Sequence, residues 1–205
     1  MIGDSITDSG RRSSPDGLGE GWVRLVAEAL RLRGDDREIV NRGIGGDRIG
    51  DLAARWEEDA LGLEPSILTV YVGINDTWRR YDSDDPTEER VFEDGYRALL
   101  RAAADAGVPE VVLMEPYLVP VTDDQLEWYD DLDPKRAAIA RLAIEFGATF
   151  VPLHRILGEA AEAHGAAAIA GDGVHPTALG ARLIAGAWLD AVVSGDSATT
   201  SLPVI

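Results

Sequence analysis

Apolar residues along the chain fall into two alternating regimes. Short, nearly unbroken apolar runs occur at Ile67 to Val72 (ILTVYV), Val111 to Met114 (VVLM) and Thr149 to Val151 (TFV), with a weaker one at Ile39 to Asn41. Runs that do not alternate with polar residues predict strands buried on both faces, as in a parallel sheet. Between them, apolar residues recur at helical spacing. Trp22, Val23, Val26, Ala27 and Leu30 form one stripe in GWVRLVAEALRLR, and Leu52, Trp56 and Leu61 another in IGDLAARWEEDALG, which ends at Gly62. Further helices are predicted over PTEERVFEDGYRALLRAAADAG, with Thr87 as cap and Gly107 beyond its end, and over DPKRAAIARLAIEFG and PTALGARLIAGAWLDAVV. Strand and helix alternate, which predicts an α/β fold with right-handed crossovers. No repeat or linker divides the chain. Residues 1–193 read as one domain, and the small, polar stretch 194–205 as a tail.

Composition changes this picture at three points. A net charge of -18 repels nucleic acid and anionic lipid, which removes both as partners. The absence of Cys removes disulfides, thiolate nucleophiles and Cys-based metal sites. Only His154, His164 and His175 are available as imidazole bases. No metal-ligand spacing and no cofactor motif stands out. GIGGDRIG superficially resembles a phosphate loop, but it lacks the Lys and follows a very short strand, which argues against a nucleotide binder. No apolar run reaches the length of a membrane span, and no signal peptide precedes the first motif. The expectation is a cytoplasmic protein, with homo-oligomerisation left open.

Four short stretches carry candidate chemistry: GDSIT at Gly3 to Thr7, NRGIGGD at Asn41 to Asp47, GIND at Gly73 to Asp76, and DGVHP at Asp172 to Pro176. Each has an ordinary structural explanation when taken alone. Ser5 could cap a helix, Asn75 and Asp76 could form a turn, and the glycines could serve left-handed turns. Together they supply every part of an acyl-transfer site, at the strand ends where parallel sheets bind their reactants. Ser5 is the candidate nucleophile, which needs an adjacent base. His175 is the candidate base, with Asp172 three residues away to orient it. The Ser5 and Gly46 N–H groups and the Asn75 amide form a candidate three-donor oxyanion hole. His154 and His164 read as structural.

The content and order of these four blocks resemble the SGNH hydrolases, the GDSL esterase and lipase family. The resemblance implies a flavodoxin-like three-layer α/β/α sandwich around a parallel sheet. It also implies Ser5, Asp172 and His175 as the triad, with Gly46 and Asn75 completing the oxyanion hole. The GxSxG elbow of the α/β-hydrolases is absent. GDSITDSGRR, ARWEEDAL and GINDTWRRYD are similar to a bacterial subgroup containing acetyl-xylan and other carbohydrate O-acetyl esterases. That similarity implies a cofactor-free serine esterase acting on a small-molecule or oligosaccharide ester, with acetate as the preferred acyl group. A lysophospholipase or thioesterase with a longer acyl chain is the alternative.

Trp78, Arg79 and Tyr117 are candidate substrate contacts. Packing of Trp78 under its loop, and pairing of Arg79 and Arg80 with Asp82, Asp84 or Asp85, is the competing explanation. The connection Glu115 to Pro134, with Tyr117, Trp128 and Tyr129, is long enough to predict either a lid or a surface loop. At the start of the chain the sequence departs from the family, whose first strand is an apolar run directly before GDS and lies inside the sheet. Here only Met1 and Ile2 precede that block. The expectation is a natural start further upstream, with the neighbours of that strand short of ladder partners. A non-catalytic binding module is the alternative should the site be broken as a result.

Overall fold

In the computed structural model, which describes residues 1–196, five short runs pair as a wholly parallel sheet of order β2-β1-β3-β4-β5. The strands are β1 (Ile2–Gly3), β2 (Arg42–Gly43), β3 (Ile67–Tyr71), β4 (Glu110–Met114) and β5 (Thr149–Val151). Ile2 stands opposite Arg42 on one side and Val70 on the other, and Val70 stands opposite Leu113. The predicted strand at Ile39–Asn41 forms instead at Arg42–Gly43. A ladder needs a neighbour, and the residues of β1 reach only that far. Beyond this rung, Met1, Ile39, Val40, Ile67, Leu68, Thr69 and Trp188 are among the residues lining a cavity of about 280 Å³.

Alternate strand residues feed two cores, one on each face of the sheet. Tyr71, Val112, Met114 and Val151 pack against α2 (Trp22–Leu32), α8 (Leu153–His164) and α10 (Ala178–Asp196). Leu68, Val70, Val72 and Leu113 pack against α3 (Ile49–Ala54), α6 (Glu89–Asp105) and α7 (Tyr129–Phe146). This is the three-layer α/β/α sandwich. Continuous apolar strands were required because both faces are covered. The polar exception, buried Thr69, accepts a 2.9 Å hydrogen bond from Trp188 Nε1.

The remaining helices are α1 (Ser5–Asp8), α4 (Trp56–Asp59), α5 (Ile74–Asp82) and α9 (Ala166–Ile169). The single helix predicted over IGDLAARWEEDALG breaks at Arg55, which takes φ −121° and ψ 13° and separates α3 from α4. Helix α7 starts at Tyr129, earlier than its apolar pattern indicates, behind a 3₁₀ turn at Asp123–Trp128. Much of the predicted long loop is therefore helical. Helix α10 continues to Asp196, and the rest of the tail predicted over 194–205 lies outside the described residues. Among the described residues, no helix is long and apolar enough to cross a membrane.

Candidate active site

Ser5 follows β1 directly and is the first residue of α1. It does not cap that helix. Asp4 does, its Oδ1 accepting the Ile6 N–H at 3.0 Å. The Ser5 hydroxyl is thereby left to other partners, and its Oγ lies 2.9 Å from His175 Nε2. His175 Nδ1 lies 2.6 Å from Asp172 Oδ2. Chemistry fixes the tautomer. A carboxylate can only accept, so Nδ1 carries the proton and Nε2 accepts from Ser5. The other Asp172 oxygen accepts the backbone N–H groups of Val174 (2.9 Å) and His175 (2.7 Å). Partial burial pushes the Asp172 carboxyl up, but the hydrogen bonds from His175 and Val174 outweigh it and hold Asp172 below the usual carboxylate range. Asp172 is therefore ionised wherever His175 must shed or carry a proton. Both side chains are nearly half exposed, at 47% and 46%, so the site opens directly onto solvent.

The proposed oxyanion donors follow three different strands, β1, β2 and β3. Gly46 lies in the loop between β2 and α3 with φ +88°, a conformation that favours glycine. A Cβ there would meet nothing within 4 Å, so backbone conformation, rather than lack of room, calls for glycine. It is Gly45 that approaches the serine, its Cβ position lying 3.7 Å from Ser5 Cβ. The Gly45 N–H donates to Asp8 Oδ2 at 3.3 Å. Asn75 is the second residue of α5, and its Nδ2 donates to the Asp47 carbonyl at 3.1 Å. One amide hydrogen is so committed, which fixes the rotamer and leaves the second to point elsewhere.

The substrate candidates divide. Trp78, one turn beyond Asn75 on α5, has its ring 5.8 Å from that of His175. It meets Trp128 at 5.4 Å, and Trp128 stacks on Tyr81 at 5.5 Å. These rings form an aromatic wall beside the base. Tyr117 is not a substrate contact. It is fully buried, and its hydroxyl donates to the Val174 carbonyl at 2.6 Å. Both arginines are paired, Arg79 with Asp82, one of the expected aspartates, and Arg80 with Asp131 and Glu88 in place of them.

The segment after β4 braces the loop that carries Asp172 and His175. The Val119 N–H donates to the Gly173 carbonyl at 3.0 Å, and Gln125 Nε2 donates to the Asp172 carbonyl at 2.7 Å. Gly173, at φ +87°, sits so close to the Gln125 amide that a Cβ would fall 2.7 Å from it. Gln125 carries no sequence signal, because its partner is 47 residues away. His154 is structural as expected. Its N–H donates to Glu115 Oε2, its ring meets Tyr129 edge-on, and burial lowers its pKa.

Similarity to known proteins points to one family. Residues 1–183 match the model of the GDSL-like lipase/acylhydrolase family. An acetylxylan esterase from Geobacillus stearothermophilus is 35% identical over 200 residues, covering 92% of this chain and 90% of that protein. The crystal structure of Axe2, an acetylxylan esterase from the same organism, superposes with a TM-score of 0.84 at 32% identity, covering 92% and 90% of the two chains. A protein from Parabacteroides merdae described as a GDSL-like lipase gives a TM-score of 0.88 at 31% identity, covering 94% and 93%. Solved structures of Axe2 include catalytic mutants of a serine, an aspartate and a histidine. That aspartate and histidine are three positions apart, as Asp172 and His175 are here. By family match, by the extent of its likeness to these relatives and by fold, the chain belongs to the GDSL-like lipase/acylhydrolase family.

Proposed function

We propose that this protein is a serine esterase that removes acetyl groups from carbohydrate, with acetylated xylo-oligosaccharides as the substrate class. One observation carries the mechanism: the unbroken chain from Ser5 Oγ through the His175 ring to Asp172, with links of 2.9 and 2.6 Å. Ser5 Oγ attacks the ester carbonyl as His175 Nε2 takes its proton. The negative charge on the carbonyl oxygen is met by the Ser5 and Gly46 N–H groups and by Asn75 Nδ2. The tetrahedral adduct collapses, the C–O bond to the sugar breaks, and His175 returns the proton to the departing alcohol. Water then attacks the acetyl-Ser5 ester with His175 again as base, releasing acetate and restoring Ser5. Asp172 keeps its charge throughout and stabilises the imidazolium.

Two observations support the substrate. The relatives are named for acetylxylan, and structures of Axe2 describe it as an acetyl-xylooligosaccharide esterase. The triad is open to solvent beside the Trp78 ring, an aromatic face suited to a sugar ring, against which Trp128 packs. Hydrolysis of p-nitrophenyl esters from acetate to decanoate, together with acetate release from acetylated xylo-oligosaccharides, tests the reading. Acetate should be the best acyl group, and Trp78→Ala should raise KM for the oligosaccharide more than for p-nitrophenyl acetate. A maximum at octanoate or longer would point instead to a lysophospholipase or thioesterase.

A further inference from the structure

The guanidinium of Arg55 lies at the break between α3 and α4, outside the triad, and each of its three nitrogens has a partner. Nε and Nη2 both lie against Asp47 Oδ2, at 2.8 and 2.7 Å. Nη1 donates to the Arg42 carbonyl at 2.7 Å and to Asp59 at 2.9 Å, and Nη2 also donates to the Gly3 carbonyl at 3.0 Å. Gly3 ends the strand that delivers Ser5, and Arg42 lies on the strand that delivers the Gly46 loop. Asp47 is the residue whose carbonyl holds the Asn75 amide. One planar, five-donor group therefore ties the segment that carries the nucleophile to the segment that carries Gly46 and Asp47, and through the Asp47 carbonyl reaches Asn75. Arg55 and Asp47 are both largely enclosed, their side chains 13% and 12% exposed. The helix break serves this geometry, since Arg55 takes its non-helical backbone conformation where its side chain reaches the ends of β1 and β2.

We propose that Arg55 is a positioning residue for the oxyanion hole, acting through the Asp47 side chain and carbonyl on the amide of Asn75. The proposal rests on the serine-esterase reading of the site. It makes no demand that Arg55 touch substrate. Lysine cannot replace it, because an ammonium has three donors and no planar fork to span two carboxylates and two carbonyls.

The test is a double-mutant cycle on the full chain with p-nitrophenyl acetate, using Arg55→Lys, Asn75→Ala and the pair. Arg55→Lys should lower kcat about 10- to 100-fold, the scale expected when a transition-state donor is misplaced. KM should stay within about twofold, because the interaction is made in the transition state. In the Asn75→Ala background the same substitution should cost less than about threefold, because the donor it positions is already gone. A purely structural arginine would give equal losses in both backgrounds, and that result overturns the proposal. Asp47→Ala covers the case in which Arg55→Lys fails to fold. It keeps the carbonyl but removes its anchor, and a folded Asp47→Ala variant with unchanged kcat also overturns the proposal. Turnover that survives Ser5→Ala would overturn the site assignment itself, and this proposal with it.

Discussion

At the scale of single residues, the motifs divide into reacting groups and the groups that hold them, and the acidic residue of each motif belongs to the second set. Asp4 in GDSIT caps α1 so that Ser5 need not. Asp76 in GIND accepts the Ile49 N–H through both carboxylate oxygens, at 3.3 and 3.2 Å, and so ties α3 to α5 beside the Asn75 amide. Both acids are buried and both are pushed up to about 7. For Asp4 the causes are burial first, then the charges of Asp76 and Asp47. For Asp76 burial is again first, offset in part by the Ile49 N–H, by Thr87 and by the charges of Lys135 and Arg48. A carboxyl that holds its proton more tightly in the folded chain than in the unfolded one stabilises the fold fully at low pH. That contribution is lost as pH rises from the ordinary value of 3.8 through about 7. Asp76→Asn keeps an acceptor for Ile49 but cannot ionise. Its Tm should therefore fall less than that of the wild type between about pH 4 and pH 7. Parallel Tm curves for the two proteins over that interval would show that Asp76 carries no such charge cost.

At the scale of elements, the sheet was legible and the braces were not. β3, β4 and β5 declare themselves through continuous apolar runs and the main helices through their stripes, whereas the two-residue strands β1 and β2 carry no such run. The four chemical blocks are local in sequence, so Ser5, Gly46, Asn75, Asp172 and His175 could all be named from the chain. Long-range polar contacts leave no such trace. Gln125 reaches Asp172 across 47 residues, Tyr117 reaches Val174 across 57, and Arg55 reaches Gly3 across 52. Tyr117 could be flagged only as an aromatic beside a candidate loop, which suggested a substrate contact where the structure has a buried hydrogen bond. The continuous stripe through Leu52 and Trp56 likewise concealed the break at Arg55. These braces have measurable consequences. Tyr117→Phe removes the donor to the buried Val174 carbonyl, which should cost about 1–3 kcal/mol of stability. Since Val174 adjoins His175, kcat should fall severalfold as well. Unchanged stability by denaturant titration would show that the hydrogen bond contributes nothing net.

At the scale of the whole molecule, function depends on an interior strand, β1, that is only two residues long. Ile2 and Gly3 pair with β2 on one side and β3 on the other. The Gly3 carbonyl also accepts the Ile44 N–H at 3.0 Å, locking the Gly46 loop onto the strand that leads to Ser5. Ser5, directly after this strand, lies within hydrogen-bond distance of a histidine 170 positions away. The arrangement therefore favours an assembled catalytic site over a binding module that has lost one. The two cores fix the sheet, the strand ends fix the loops, and the loops bring Ser5, His175 and Asp172 into one hydrogen-bonded chain. The most direct measurement is acetate release from acetylated xylo-oligosaccharides by this chain beside its Ser5→Ala variant. The account predicts turnover by the parent and its loss by several orders of magnitude in the variant, with Tm nearly unchanged. Equal turnover in both proteins, or none in either, would contradict it.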